Sequence, residues 1–235
     1  MSLVAGRGPL SPEPAGWYSS PVPPGVVFVE PHPRRIQAVR AGQVVLDTER
    51  ALMVHRPYQF LSYVFPADEV GDLPGEPEPE APGHVHVPWD AVDEWYEEGR
   101  KLVYYPPNPY HRVDCRPTSR RLRVEVAGTT LVDTTDTVIV FETALEPVLY
   151  VAPSHVRTDL LRRGELTTYC NYKGASTYWT AVIGDIVVEN VAWSYPDALP
   201  ESAVISGYFA FDPAKADVIA ELPTPGGVAD RGGDS

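Results

Sequence analysis

Short stretches in which hydrophobic and polar residues alternate recur along the chain and predict β-strands. Residues 35–40 alternate up to Ala41-Gly42, and residues 43–47 return with a similar pattern. Because glycine readily adopts the positive φ of a tight turn, this arrangement predicts a β-hairpin. Residues 51–54 and 60–65 are apolar enough to form two further strands. Short strands joined by tight turns indicate antiparallel sheet.

The same pattern returns later in the chain. Residues 121–134 resemble residues 35–48, and the strand-like residues 148–153 resemble residues 61–66. Such self-similarity predicts an internal duplication, with two related β modules. The repeated residues are Gly42 and Gly128, Asp47 and Asp133, and Thr48 and Thr134, each pair 86 positions apart (128 − 42), and Tyr63 and Tyr150, 87 apart (150 − 63).

Two stretches have a helical rather than an alternating pattern. We predict a helix over residues 88–98, since Pro88 suits a first helical position and Gly99 suits a stop. A second short helix is predicted over residues 154–163. The residues that would share one face of the first helix are Trp89, Val92, Trp95 and Tyr96.

The predicted fold class is mainly β: two pseudo-repeated, compact antiparallel β modules, barrel- or sandwich-like, with one or two short helices. Residues 34–116 would form the first module and residues 117–213 the second. A proline-rich leader (1–33), an acidic proline-rich insert (71–83) and a tail (214–235) lie outside this pattern. We expect these three segments to be largely extended or disordered, with the insert looped out, because they have little apolar surface to offset the entropy of ordering.

Composition and charge exclude several classes of partner. The 235 residues carry a net charge of −13, whereas proteins that bind nucleic acid usually present a basic face. Nucleic acid and anionic membrane surfaces are therefore not expected as partners. No apolar run is long enough to span a membrane, and no secretory signal is visible. A cytoplasmic protein is expected, with Cys115 and Cys170 as free thiols, although a disulfide between them stays open.

Residues 168–179 concentrate the side chains that could hold or attack a small molecule: a thiol, an amine, three phenols and an indole. Cys170 and Lys173 are the candidate catalytic residues, because a thiolate is nucleophilic and a nearby ammonium stabilises it. Lys173 could also bind a carboxylate or phosphate, or form a Schiff base. The alternatives are a buried structural thiol at Cys170 and a solvated turn lysine at Lys173.

Aromatic and acidic residues around this motif are candidates for ligand binding. Glu142 ends a predicted strand and Asp197 lies in a polar turn, so each could serve as a general acid or base; the alternative for each is a solvated carboxylate. The aromatic candidates could form the walls of a pocket or belong to the core. These are Tyr150, Tyr172, Tyr178, Trp179, Trp193 and Tyr195.

Histidines give two weaker signals. His111 and Arg112 join the two predicted modules and could reach a shared cleft. The alternative is a salt bridge between the modules, with Asp114 or a neighbouring residue. His84 and His86 have the spacing that places both rings on one face of a strand, which is a weak metal signal without a third ligand. No metal site and no particular cofactor is predicted.

Three runs in the second module resemble a known family, catalogued as "domain of unknown function 427". The resemblance covers about residues 121–212, and residues 109–114 resemble the junction found in tandem members of that family. It implies a compact, mainly β structure. The runs are Cys170-x-Tyr172-Lys173-Gly174-x-x-x-Tyr178-Trp179, Ala192-Trp193-Ser194-Tyr195-Pro196-Asp197 and Gly207-Tyr208-x-Ala210-Phe211.

The family also bears a nucleotidyltransferase-like label, which the residues do not support. The chain contains no Gly-Ser followed by a paired Asp-x-Asp, and no Walker-type phosphate loop. Two positions depart from the family pattern: Asn171 replaces the usual proline after the motif cysteine, and the arginine often found before the tyrosine strand is absent around Val148-Leu149.

Three functional hypotheses follow. The first is a small-molecule enzyme that uses Cys170 or Lys173 in an aromatic pocket of the second module. The second is a non-catalytic module that binds a metabolite or nucleotide in the same pocket. The third is a protein-interaction scaffold whose proline-rich leader is an extended ligand for another domain. Self-association into a homo-oligomer is left open.

Overall fold

Antiparallel β-strands dominate the structure, a computed structural model that describes residues 19–20, 25–56 and 59–224. Strands account for about half of the chain, and none of the sheets formed by the described residues closes into a barrel. The prediction of a mainly β protein is confirmed. The chain divides into two compact units, unit 1 up to His111 and unit 2 from Arg112.

Unit 1 contains two antiparallel sheets, with strand orders β1-β4-β5-β7-β6 and β3-β2-β8-β9. Its core is built around Phe65, whose ring stacks on Trp95 at 5.6 Å between centroids. The strands are β1 (Phe28–Pro31), β2 (Ile36–Arg40), β3 (Gln43–Thr48), β4 (Leu52–His55), β5 (Ser62–Pro66), β6 (Glu76–Pro77), β7 (His84–His86), β8 (Glu94–Glu97) and β9 (Arg100–Leu102).

The helix predicted over residues 88–98 is absent, and that prediction is wrong. Trp89–Ala91 forms one short 3-10 helix, and β8 follows and pairs with β2. Glu98 and Gly99 both have positive φ and make the tight turn of the β8–β9 hairpin. The residue pattern of this segment is compatible with either a helix or a strand. It forms a strand because the edge of β2 provides hydrogen-bond partners for the backbone of β8.

Two segments predicted to be extended or disordered are part of the fold of unit 1. In the insert 71–83, β6 pairs with β7 and Leu73 and Ala81 are buried. In the leader, β1 pairs with β4 over four residue pairs. Residues 1–18 and 21–24 of the leader lie outside the described residues. Few apolar residues are enough here, because existing strand edges supply the backbone partners.

Unit 2 contains three antiparallel sheets, with strand orders β10-β13-β14, β12-β11-β19 and β15-β16-β17-β18. Buried side chains from all three sheets form its core, including Val124, Ile139 and Ala181. The strands are β10 (Val113–Thr118), β11 (Leu122–Val126), β12 (Thr129–Thr134), β13 (Thr137–Glu142), β14 (Val148–Tyr150), β15 (Leu161–Cys170), β16 (Gly174–Ile183), β17 (Ile186–Ser194), β18 (Phe209–Phe211) and β19 (Asp217–Ala220).

Two further predictions fail in unit 2. Residues 154–163 do not form one helix; two 3-10 helices, Pro153–His155 and Thr158–Leu160, lead into β15. The tail is not merely extended, since β19 pairs with β11 along four residue pairs. Residues 225–235 of the tail lie outside the described residues. In both places a neighbouring strand provides hydrogen-bond partners that local sequence cannot reveal.

The strand pairing in the two units matches at a constant offset of 86 residues. Ile36 pairs with Thr48 and Leu122 with Thr134, and both hairpins have a bulge after the third pair. The exposed ion pair Arg35–Asp47 recurs as Arg121–Asp133.

The match continues into the flanking strands. Val29 pairs with Val54 in unit 1, as Cys115 pairs with Val140 in unit 2. Met53 pairs with Tyr63, and Ile139 pairs with Leu149. The position that corresponds to Tyr150 is therefore Val64 and not Tyr63, so the offset of 87 suggested by the two tyrosines is wrong.

The segment between β14 and β18 distinguishes unit 2. Val151 forms a β-bridge with Phe209, and the corresponding residue of unit 1, Phe65, pairs with Val85. Between these positions unit 2 contains strands β15, β16 and β17, whereas unit 1 contains only the insert with β6. The residues of the Cys-x-Tyr-Lys-Gly motif all belong to this additional segment.

Two further findings concern cysteines and membranes. Cys115 and Cys170 are both free thiols. Within the described residues, no helix has the length and apolar character needed to cross a membrane.

Candidate functional site

A cavity of about 340 Å³ in unit 2 brings together residues from β13, β14, β16 and β17. Some of the lining residues belong to β13 and β14, whose pairing is matched in unit 1. Others belong to the additional segment between β14 and β18. The lining residues are Val140, Glu142, Leu145, Glu146, Val148, Tyr150, Lys173, Tyr178, Asn190, Trp193, Tyr195 and Asp212.

The tight connection between β15 and β16 directs Lys173 into this cavity. Cys170 pairs with Gly174, so Asn171, Tyr172 and Lys173 form the turn. Gly174 has a φ of +98°, and a Cβ there would come within 3.3 Å of the Asp197 carbonyl oxygen. Since both the backbone angle and the close approach favour glycine, the Lys-Gly pair of the motif has a structural reason. The Leu199 amide also donates to the Lys173 carbonyl at 3.1 Å.

Lys173 forms a buried ion pair with Glu142, the last residue of β13. Both residues are more than 90% buried. The ammonium also lies 5.7 Å from the centre of the Tyr195 ring, within range of a cation–π contact. Removing two charges from water is costly, and both residues of this pair line the cavity.

Two buried phenols lie beside the ion pair. Burial raises the pKa of Tyr150 and of Tyr195 well above the ordinary tyrosine value. Both hydroxyls therefore stay protonated near neutral pH and can donate hydrogen bonds. The Trp193 indole N–H donates to the Tyr150 oxygen at 3.0 Å, with the two rings edge to face. We call Glu142, Lys173, Tyr150 and Tyr195 the floor of the cavity.

Two further acidic residues of the lining are more exposed to solvent than the floor. Glu146 is exposed and Asp212 is half-buried. With Glu142, the lining has three carboxylates against the single ammonium of Lys173. Tyr178 and Trp193, both half-buried, add aromatic surface to the lining. We call Glu146 and Asp212 the rim of the cavity.

Six of the twelve sequence candidates line this cavity: Glu142, Tyr150, Lys173, Tyr178, Trp193 and Tyr195. Five others from unit 2 do not line it: Arg112, Cys170, Tyr172, Trp179 and Asp197. Tyr172 is buried in a hydrophobic cluster, against which Cys170 also packs. Trp179 packs on Phe209 and donates to the Ser194 hydroxyl at 3.0 Å. Asp197 is exposed.

The two cysteines share one environment. Cys115 and Cys170 both pack against the same cluster, which includes Val113 and Tyr172. Burial raises the pKa of the Cys115 thiol, an effect that the Lys173 charge partly opposes. Neither thiol is among the residues that line the cavity.

His111 and Arg112 fall on either side of the division between the units. His111 is buried in unit 1. Arg112 begins unit 2 with an exposed side chain, and its guanidinium lies 3.5 Å from the Asp114 carboxylate. Both residues belong to unit 2, so this ion pair does not join the two units.

Sequence reasoning did not identify six of the lining residues: Val140, Leu145, Glu146, Val148, Asn190 and Asp212. Only Asn190 gave a usable signal. Asparagine is uncommon inside a strand, and Asn190 has a φ of +52° within β17. The others are ordinary strand and turn residues that the fold brings to the cavity.

No metal centre is evident from the side chains. Within residues 25–56 and 59–224, no group of three His, Cys, Asp or Glu side chains is placed to hold a metal ion. His84 and His86 lie on the short strand β7.

One family matches the chain. Residues 114–222 match the family described as "Domain of unknown function (DUF427)". The match begins in β10 and extends past β19, so it includes every strand of unit 2 and the whole lining of the cavity. No curated protein matches the chain.

Proposed function

We propose that unit 2, as a domain of the family described as domain of unknown function 427, is a non-catalytic module that binds a small zwitterionic metabolite. The observation that carries this proposal is the buried Lys173–Glu142 pair at the floor of an aromatic cavity. A buried ion pair is weak evidence for stability, because its desolvation offsets much of the attraction. A ligand contact gives such a pair a function.

The floor is suited to an acceptor oxygen of the ligand. The Lys173 ammonium has three N–H donors, and Glu142 needs only one of them. The Tyr195 hydroxyl has no hydrogen-bond partner among the described residues and remains protonated. Together these donors suit a carboxylate group.

The rim is suited to positive charge and disfavours phosphate. Glu142, Glu146 and Asp212 give the lining more acidic than basic side chains, although Lys215 lies 3.7 Å from the Asp212 carboxylate. This excess of acid would repel a phosphate that entered the cavity. A cationic group would instead be attracted by the acids and by the faces of Tyr178 and Trp193. This charge arrangement favours a zwitterion over a nucleotide and agrees with the absence of a phosphate loop in the sequence.

The placement of Cys170 favours binding over thiol catalysis. A nucleophile must contact the bound molecule, and Cys170 packs against the hydrophobic cluster outside the cavity lining. The Lys173 side chain is engaged in the ion pair with Glu142, whereas Schiff-base chemistry needs a free neutral amine.

Isothermal titration calorimetry on the full-length protein tests the ligand class. The probes are glycine betaine, which has both charges, choline and acetate, which have one each, and adenosine monophosphate. We expect glycine betaine to bind about tenfold more tightly than choline or acetate, because it uses both ends of the cavity. Tightest binding of adenosine monophosphate would refute the proposed class.

Three variants locate the site. Trp193→Leu should weaken glycine betaine binding about tenfold through the lost cation–π contact, and Tyr195→Phe about fivefold through one lost hydrogen bond. Cys170→Ser should leave the affinity unchanged. Phe28→Leu, at an exposed residue of unit 1, is the matched control. Equal affinities for Trp193→Leu, Tyr195→Phe and the control would place the binding site elsewhere.

We also infer that the two units are tandem copies of one ancestral domain. The shared bulge, the repeated Arg–Asp pair and the constant offset of 86 residues support this. In this interpretation the strands β15 to β17 were gained by unit 2 or lost by unit 1. A variant of unit 2 in which residues 152–208 are replaced by residues 66–84 should still fold, as monitored by circular dichroism; an unfolded product would contradict the inference.

A further inference from the structure

Unit 1 has a cavity of its own, of about 590 Å³, which the proposed function does not use. Residues from β5, β6, β7, β8 and the segment 104–106 surround it. Its charged and imidazole groups are Arg56, Glu76, Glu78 and His86. Six further lining residues are aromatic: Phe60, Tyr63, Trp89, Trp95, Tyr104 and Tyr105.

This cavity lies at the position in unit 1 that corresponds to the cavity of unit 2. The offset of 86 residues relates Arg56 to Glu142 and Ser62 to Val148, and all four residues line their respective cavities. Arg56 and Glu142, which correspond to each other, each form an ion pair with a residue from the segment in which the two units differ. That partner is Glu78 in unit 1 and Lys173 in unit 2. The ion pair therefore lies at the same position in both units, but the basic and the acidic residue have exchanged places.

The charges in the unit 1 cavity are largely satisfied internally. Arg56 donates to both oxygens of Glu78, at 2.5 and 2.6 Å, and Glu78 also accepts the Glu80 amide. Phe60 occupies the position that corresponds to the acidic Glu146. This cavity therefore has no counterpart of Glu146, and its two carboxylates are Glu78, which Arg56 holds, and the exposed Glu76.

The His86 imidazole supplies neutral hydrogen-bonding capacity. Burial, and then the Arg56 charge, lower the pKa of His86 below the usual value, so the ring is neutral at pH 7. Its ring nitrogens have no hydrogen-bond partner among the described residues. A neutral imidazole can donate with one nitrogen and accept with the other.

Two stacked aromatic pairs line the same cavity. Phe60 and Tyr105 stack at 5.2 Å, and Trp89 and Trp95 at 5.3 Å between ring centres. Phe60 is 66% exposed, so its ring presents open surface at the mouth. Such surfaces favour flat ring ligands, which gain offset-stacking contacts.

We propose that unit 1 carries a second small-molecule site, for an uncharged planar heterocycle that stacks on these aromatic side chains and hydrogen-bonds to His86. The chain then has two sites at corresponding positions with different ligand classes. This goes beyond the function proposed for unit 2 and does not depend on it.

Ligand-observed NMR titration of the full-length protein provides the test, with three matched probes. Nicotinamide is planar and uncharged, nicotinate has the same ring with a carboxylate, and cyclohexanecarboxamide has the same amide on a non-planar ring. Nicotinamide should bind about tenfold more tightly than either of the other two. No binding of nicotinamide at millimolar concentration, or equal affinity for nicotinate, would overturn the proposal.

Variants assign the binding to unit 1. His86→Leu should weaken nicotinamide binding about fivefold, the effect of one hydrogen bond. Tyr195→Phe in unit 2 is the control and should leave this affinity unchanged. Thermal unfolding confirms that each variant is folded, and the comparison of the three probes on the unchanged protein decides the question if His86→Leu unfolds. An affinity that responds to Tyr195→Phe and not to a folded His86→Leu would refute the site in unit 1.

Discussion

At the residue scale, both units bury charged side chains. In unit 1, Glu97 is buried and accepts hydrogen bonds from Tyr63 at 2.7 Å and from Arg34 at 2.5 Å, and it contacts His32 at 2.9 Å. In unit 2, Glu142 is buried against Lys173. A buried carboxylate is tolerated only when its oxygens are paired. Removing only its hydrogen-bond partner should therefore lower the stability more than removing both residues.

The Glu97 carboxylate should make unit 1 sensitive to acid. Burial alone would raise its pKa, but the hydrogen bonds from His32, Tyr63 and Arg34 lower it from 4.5 to about 2. A lowered pKa stabilises the folded state above pH 4.5, and this contribution is lost as the pH falls from 4.5 towards 2. The shift corresponds to about 3 kcal/mol.

Urea denaturation between pH 2.5 and 7 measures this contribution. Glu97→Gln should lower the free energy of unfolding at pH 7 by about 3 kcal/mol and flatten its decline below pH 4.5. Asp47→Asn, which removes the exposed pair with Arg35, is the control and should cost less than about 1 kcal/mol. An unchanged acid profile in Glu97→Gln would show that other carboxylates cause the decline.

The Lys173–Glu142 pair should behave as one unit in a double-mutant cycle. Lys173→Met leaves a buried carboxylate unpaired and should lower the free energy of unfolding by about 3–5 kcal/mol. Lys173→Met combined with Glu142→Leu should recover most of that loss, because neither charge remains buried. Urea denaturation at pH 7 gives both values, and a double variant as unstable as the sum of the single ones would contradict this coupling.

At the element scale, strand edges decide the fate of segments that look irregular in sequence. β1, β6, β8 and β19 each come from a stretch predicted to be extended, disordered or helical, and each pairs with a neighbouring strand. The backbone groups of an unpaired edge need partners. Short segments of low hydrophobicity therefore become strands where such an edge is available.

Truncation of the tail tests the importance of β19. A chain that ends at Pro213 loses β19 and leaves β11 as an edge, so its thermal midpoint should fall by several degrees or more. A chain that ends at Thr224 keeps β19 and should have the midpoint of the full-length protein. Equal midpoints for the two truncated chains would show that β19 contributes little to stability.

At the scale of the whole molecule, each unit has the features of an independent folding unit. Unit 1 has buried clusters around Phe65 and around Val54, and unit 2 has clusters around Val124 and around Tyr150. Each unit exceeds the size at which a small domain can usually fold alone.

The separate units should therefore fold on their own. Residues 25–111 and residues 112–224, expressed separately, should each show a cooperative thermal transition in circular dichroism. A non-cooperative melt for either fragment would show that its stability depends on the rest of the chain. The fragment 112–224 should also keep the affinity of the full-length protein for glycine betaine.

The sequence by itself determined the β class, the two Gly-centred hairpins and the motif around Lys173. These features depend on local alternation, on residues with positive φ and on composition, all of which are visible along the chain. It also identified six residues of the cavity, because aromatic and charged side chains near a glycine turn are recognisable candidates.

Only the tertiary structure decided the rest. It placed Cys170 against the hydrophobic cluster, brought Glu142 to Lys173 from 31 positions away and turned residues 94–97 into a strand. It also revealed the Arg56–Glu78 pair, whose counterpart in unit 2 is inverted in sign. These outcomes depend on which strand edges and which distant charges meet in three dimensions, and local sequence patterns do not contain that information.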